Sequence, residues 1–160
     1  MVILGIDPGL VQTGFGIISV KNKKIDMIDY GIIKPNAKVD LPKRLLTIHE
    51  DVKSIIGEYS PKIVVIEDIF YGKNIKSALK LGQARGAAMV AAASEKKPIY
   101  EYSAKKIKQA ITGNGNASKE QIQFMVKSIL NLKSLPKPID ASDALAIAIC
   151  HCQQFRELDL

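Results

Sequence analysis

Cysteine is scarce in this 160-residue chain, which has only Cys150 and Cys152, one on each side of His151. Two thiols this close offer no disulfide framework, and such a cysteine count fits a reducing compartment, the cytoplasm. Three soft ligands in a row suggest a metal site. However, neighbours on a helix point in different directions and a structural zinc needs four ligands, so the tract reads as a helix end. Arginine is scarce as well: Arg44, Arg85 and Arg156 stand among 23 basic residues. No apolar run is long enough to cross a membrane; the longest small-residue stretch, GAAMVAAAS, is bounded by Arg85 and Glu95. No charged-then-apolar leader precedes the first strand, and repeats, low-complexity tracts and a second domain are all missing. These absences argue against a disulfide scaffold, a membrane-spanning chain and a solenoid.

What the chain has in excess is positive charge. Its net charge is +7 and its pI near 9.4, while hydrophobic residues make up 47%. That hydrophobic share gives one domain of this length a proper core. A small basic domain attracts polyanions, nucleic acid foremost. Because the excess is lysine, it favours phosphate contacts that are indifferent to base sequence.

The apolar pattern predicts a mixed α/β fold. MVILGIDPG is a short buried strand ending in a turn. TGFGIISVKNKKIDMIDYGIIK gives two more strands around a KNKK hairpin, so the first three form an antiparallel meander. Leu45, Leu46, Ile48, Val52, Ile55 and Ile56 recur at a helical period, with His49 exposed on that helix. PKIVVIED is a strand apolar on both faces. A long helix from Ile75 to Lys96 follows, alanine-rich, with Gly82 and Gly86 spaced to admit another helix from the core or from a second subunit. PIYEYS is a fifth strand, AKKIKQAI a short basic helix, and TGNGNAS a loop. Ser118 and Gln121 form a capping box for KEQIQFMVKSIL. The last helix opens at KPIDASDALAIAIC.

Carboxylates at unexpected places carry the chemistry. Asp7 and Glu67 each end an oily strand, where an ionised group is costly unless paired or bound to metal. Asp140 and Asp143 stand one turn apart at the mouth of the last helix, on the stripe continued by Ala144, Ile147 and Ala148. Acids in a first helical turn commonly serve as caps. Gathered at one sheet end, the four make an all-oxygen site for Mg²⁺ or Mn²⁺. Two such ions about 3.5–4 Å apart activate water and stabilise the leaving oxygen in phosphodiester cleavage. Surrounding lysines would hold the strand in line. Phe70, in the loop after Glu67, is either a stacking platform or a core plug, and GNGNAS either cradles phosphate or faces solvent.

The blocks ILGIDPGLVQTGFGII, IVVIEDIFYGKN, ALKLGQARGAAM, GNGNASKEQIQFMV and DASDALAIAICH, in this order over nearly the whole chain, closely resemble the RuvC family of Holliday-junction resolvases. The resemblance implies a ribonuclease H-like fold with a five-stranded mixed sheet flanked by helices, in a single nuclease domain over 1–155 followed by a short tail, 156–160. It also implies a homodimer that nicks opposing strands of a four-way junction, leaving 5′-phosphate and 3′-hydroxyl ends. The family's catalytic, metal-holding acids fall on Asp7, Glu67, Asp140 and Asp143; some members have histidine at the last position. A base-contacting aromatic falls on Phe70. Two DNA-handling lysines fall on Lys108 and Lys119, with Lys105 and Lys106 adding charge nearby. The small-residue helix after Phe70 contributes to the dimer, and the family works with a junction-binding protein and a branch-migration motor.

Three competing readings follow from the same residues. They are a related nuclease acting on structured RNA, a junction-binding module without catalysis, and an actin-like phosphate-binding fold suggested by GIDPGLVQTG. The last needs two lobes, and 160 residues supply one.

Overall fold

The computed structural model describes residues 1–69 and 74–158, with side chains as far as Gln154. Phe70 and Tyr71 lie outside the described residues. Strands β1 (Val2–Asp7), β2 (Thr13–Lys21) and β3 (Lys24–Ile33) form the expected antiparallel meander. Its hairpin turns on Asn22 and Lys23, both at positive φ, the backbone that a two-residue connection between twisted strands requires. Helix α1 (Leu41–Tyr59) leads to β4 (Ile63–Glu67), which lies parallel to β1. Helix α2 (Ile75–Ser94) leads to β5 (Ile99–Tyr102), parallel to β4. The sheet order is β3-β2-β1-β4-β5. Helices α3 (Ala104–Thr112), α4 (Lys119–Ile129) and α5 (Ile139–Leu158) complete the chain.

Two apolar layers sandwich the sheet. Leu4, Ile6, Val64 and Ile66 pack against Ile48, Val52 and Ile56 of α1 and Ala84, Ala88 and Ala91 of α2. Ile3 and Val65 pack on the opposite face with Leu145, Ile147 and Ile149 of α5 and with α3 and α4. Alternation along a strand then decides where the acids point. Residues 3, 5 and 7 share one face of β1, and 63, 65 and 67 share the same face of β4. Asp7 and Glu67 therefore project toward α5, each one step past the last paired couple, Ile6 with Ile66.

Helix α5 sits on this face at backbone contact. Gly5 of β1 is paired across the ladder with Gly16 of β2, and Gly14 lies opposite Asp7. A Cβ on Gly5 would stand 2.1 Å from the Ala144 carbonyl oxygen, and one on Gly14 would stand 2.0 Å from the Asp140 carbonyl oxygen. Only hydrogen fits there, so these glycines bring the first turns of α5 down beside the end of β1.

Two expectations need correction, and two others are refined. Cys150, His151 and Cys152 are not a helix end. They are buried inside α5, which continues through Leu158. His49 is half-buried rather than exposed. Helix α2 runs from Ile75 to Ser94, close to the expected bounds, and Lys96 turns left-handed (φ 54°) to start the approach to β5. Of the two partners expected for Gly82 and Gly86, a helix of the core is not found among the described residues: the alanines pack against α1, and a Cβ on Gly86 would meet nothing within 4 Å.

Gly5→Ala is expected to lower stability by about 3 kcal/mol, the upper end for overpacking a rigid contact. Gly57→Ala, in α1 where a Cβ meets nothing within 4 Å, should raise it by about 0.5–1 kcal/mol. Denaturant titration of the two variants checks both signs.

Candidate active site

Three elements converge at the carboxyl ends of β1 and β4. The strands contribute Asp7 and Glu67 by alternation, and α5 contributes Asp140 and Asp143 by its helical repeat. One carboxylate oxygen from each of Asp7, Asp140 and Asp143 lies within 4.8 Å of the others. Glu67 joins them through a side-chain hydrogen bond with Asp7. Asp7, Glu67 and Asp143 line one cleft, together with Lys108 of α3 and Lys119 of α4. Asp140 stands beside that cleft, where it accepts a hydrogen bond from the Gln12 side chain.

Crowding acids on a half-buried ledge raises the proton affinity of Asp7, Glu67 and Asp143. Burial pushes the Asp7 carboxyl up to about 8, helped by the neighbouring charges of Glu67, Asp143 and Asp140. Glu67 is raised mainly by burial, although its hydrogen bond with Asp7 works the other way. Asp143 is raised by burial and partly relieved by Lys119, whose ammonium stands 3.5 Å from its Oδ2. Lys119 in turn is held above its usual range by Asp143. Hard divalent cations suit a set made wholly of carboxylate oxygens, and the convergence of the acids gives such an ion several ligands at once. The residues present fit Mg²⁺ or Mn²⁺.

The lysines divide into two groups. Lys108 and Lys119 reach the cleft. Lys105 and Lys106 do not line it: the Lys105 stem lies against Gly115, and the Lys106 ammonium sits 5.3 Å from the Tyr102 ring centroid. The GNGNAS loop is tied internally, with the Asn116 N–H donating to Asn114 Oδ1 and the Thr112 hydroxyl donating to the Asn114 carbonyl. The capping box at Ser118 and Gln121 is present, and it sets the start of α4 so that Lys119 is the first helical residue. His151 lies far from the acids. Its Nδ1 shares a 2.8 Å hydrogen bond with the Tyr102 hydroxyl, and burial lowers its pKa to about 4.

Two contacts at the site carried no signal in the sequence. Gln12 reaches Asp140 across 128 residues. Arg85, on the otherwise small-residue face of α2, donates through Nε to the Glu67 carbonyl at 3.2 Å. It also pairs with Asp68 at 3.5 Å and with Glu101 of β5. A lone arginine in an alanine-rich helix was the one available hint.

A family model described as crossover junction endodeoxyribonuclease RuvC matches residues 3–151. Similar relatives with that description include one from Natranaerobius thermophilus, 45% identical over 98% of this chain and 97% of the relative. Another, from Citrifermentans bemidjiense, is 50% identical over 94% and 92%. Among solved structures, Thermus thermophilus RuvC in complex with a Holliday junction substrate is similar at a TM-score of 0.92 and 36% identity, covering 98% of this chain and 96% of that one. The yeast mitochondrial Holliday junction resolvase Ydc2, at 14% identity and a TM-score of 0.67, shares the fold.

The raised carboxyls make stability depend on pH in a definite direction. With a folded-state value near 8 for Asp7 against 3.8 when unfolded, the native chain retains a proton that the unfolded chain releases, so stability falls as pH rises through that interval. His151, lowered to about 4 from 6.5, acts in the opposite sense below 6.5, so the window from 6.5 to 8 reports the acids. In EDTA, the melting temperature of the wild type should decline across that window and that of Asp7→Asn should decline less. Saturating Mn²⁺ should abolish the decline. A flat wild-type profile in EDTA would contradict the electrostatics described.

Proposed function

The chain belongs to the RuvC family of crossover junction endodeoxyribonucleases, and on that premise we propose that it resolves four-way DNA junctions at the cleft of Asp7, Glu67, Asp140 and Asp143. The observation that carries this reading is the meeting of acids from β1, β4 and α5 beside two lysines on a basic molecule. The four carboxylates hold Mg²⁺ or Mn²⁺, two ions per site. When bound, the ions supply charge neutralisation and an acidified water for attack on phosphorus. The P–O3′ bond breaks, leaving a 5′-phosphate and a 3′-hydroxyl.

The chain's own groups supply orientation and binding. Asp7 is the acid common to both sides of the cluster: it shares a hydrogen bond with Glu67 and brings a carboxylate oxygen within 4.8 Å of those of Asp140 and Asp143. Lys119 and Lys108 stand at the cleft as phosphate contacts, and their charge draws the backbone toward a site that four bare carboxylates would repel. Lys105 and Lys106 extend that contact outside the cleft. Phe70 stacks on junction bases. One nuclease domain over 1–155 carries all of this, and it works in the cytoplasm. Among the described residues no helix is long and apolar enough to cross a membrane.

A single site makes one nick, so paired nicks require two copies. Helix α2 supports a homodimer: Leu79 and Val90 are 63% and 59% exposed on it, and Gly86 leaves open space on the same helix. A junction-binding protein and a branch-migration motor complete the expected assembly.

Wild type should nick a mobile four-way junction in Mg²⁺, leave a linear duplex and a structured RNA intact, and lose activity in EDTA. Asp7→Asn should abolish nicking while junction binding in metal-free buffer persists. Cleavage of the RNA but not the junction would overturn the assignment. Lys119→Ala should slow turnover by about 10²-fold, the scale of losing one charge-stabilising donor. Its melting temperature should hold, because an ion pair this exposed adds little stability. Phe70→Ala should reduce cleavage more than binding, as gel-shift and nicking assays on the same junction would show.

A further inference from the structure

We propose that Gln12 is a positioning residue for Asp140: its side-chain N–H holds one carboxylate oxygen, Oδ2, and so presents the other to a divalent cation. This inference rests on the metal-site reading above and deepens it. Gln12 lies in the turn between β1 and β2, and its Nε2 donates to Asp140 Oδ2. A carboxylate can only accept, so the amide nitrogen must be the atom that faces it.

Both ends of this contact are fixed at the backbone. On the Gln12 side, the fully buried Thr13 hydroxyl donates to the Gly9 carbonyl at 2.8 Å and accepts from the Gly9 N–H at 3.1 Å. Arg44 of α1 donates to the Leu10 carbonyl at 3.0 Å. A Cβ on Gly9 would stand 2.2 Å from the Gln12 carbonyl oxygen, so the turn is closed tightly on itself. On the Asp140 side, the close approach of Gly14 clamps the first turn of α5. Neither partner can drift, and the amide has a single carboxylate oxygen to meet.

The acids are held by chemically different neighbours. Asp143 faces an ammonium, Lys119, and Glu67 shares a hydrogen bond with Asp7. Asp140 has a neutral donor. An amide orients a carboxylate without cancelling its charge, so it does not compete electrostatically with an incoming cation as a lysine would. The Gln12 amide is engaged by Asp140, so it acts through that acid rather than on substrate. Outer hydrogen bonds to metal-holding groups typically matter 10–100-fold in affinity.

The test is Mn²⁺ binding to the intact chain without DNA, read from the electron paramagnetic resonance signal of free Mn²⁺ below every variant's melting transition. Gln12→Met keeps the length and removes the donor, and it should weaken binding by about 10–100-fold. Gln12→His, which keeps an N–H at similar reach, should recover most of that loss. In an Asp140→Asn background, Gln12→Met should have no further effect, since the two act as one unit. Wild-type affinity in Gln12→Met, equal losses in Gln12→Met and Gln12→His, or additive losses in the double variant would each overturn the proposal. Asp140→Asn alone separates the two levels: if it leaves Mn²⁺ binding intact, the metal-site reading itself fails. If it weakens binding while Gln12→Met does not, only the role of Gln12 falls.

Discussion

Everything at the acidic cleft depends on a backbone-to-backbone contact between α5 and the β1–β2 hairpin. Helices usually sit on sheets at the distance set by their side chains. Here Gly5, Gly16 and Gly14 remove that spacing under Ala144, Leu145 and Asp140. The consequence is positional: Asp140 and Asp143 come down to the level of Asp7 instead of standing a side chain's length above it. The strand register and the helical repeat then do the rest, since neither acid pair needs an unusual conformation to meet the other.

The contact also explains how the molecule tolerates its own electrostatics. Four carboxylates on a half-buried ledge oppose folding, and the raised proton affinities of Asp7, Glu67 and Asp143 measure that opposition. The facing core surfaces of the sheet and α5 are apolar, with Leu145, Ile147 and Ile149 fully or nearly fully buried. That burial offsets the cost of the ledge. Function here is a local concession made by a fold whose core is otherwise consistent at every level.

Much of this was legible in the sequence because the informative signals are local. The runs that end in Asp7 and Glu67 predict strands, and period-two alternation puts both acids on one face. The three-residue spacing of Asp140 and Asp143 does the same for the helix. Signals that depend on distant partners were not legible. Nothing near Gln12 announces Asp140, and nothing near Gly5 announces Ala144. Cys150, His151 and Cys152 misled for a related reason. Polar or reactive residue types suggest a boundary, but His151 is buried as a neutral ring against Tyr102, a partner almost fifty residues away. Gly82 and Gly86 were read as permitting close approach; among the described residues Gly82 has the Ile69 side chain beside it and Gly86 open space.

Arg85 gives helix α2 two opposite duties along one rigid rod. Outward, the helix shows Leu79 and Val90 to its surroundings. Inward, one guanidinium holds the main chain of Glu67, the Asp68 carboxylate and Glu101 of the edge strand. One rod thus ties the outer flank of the molecule to the strand end that carries Glu67.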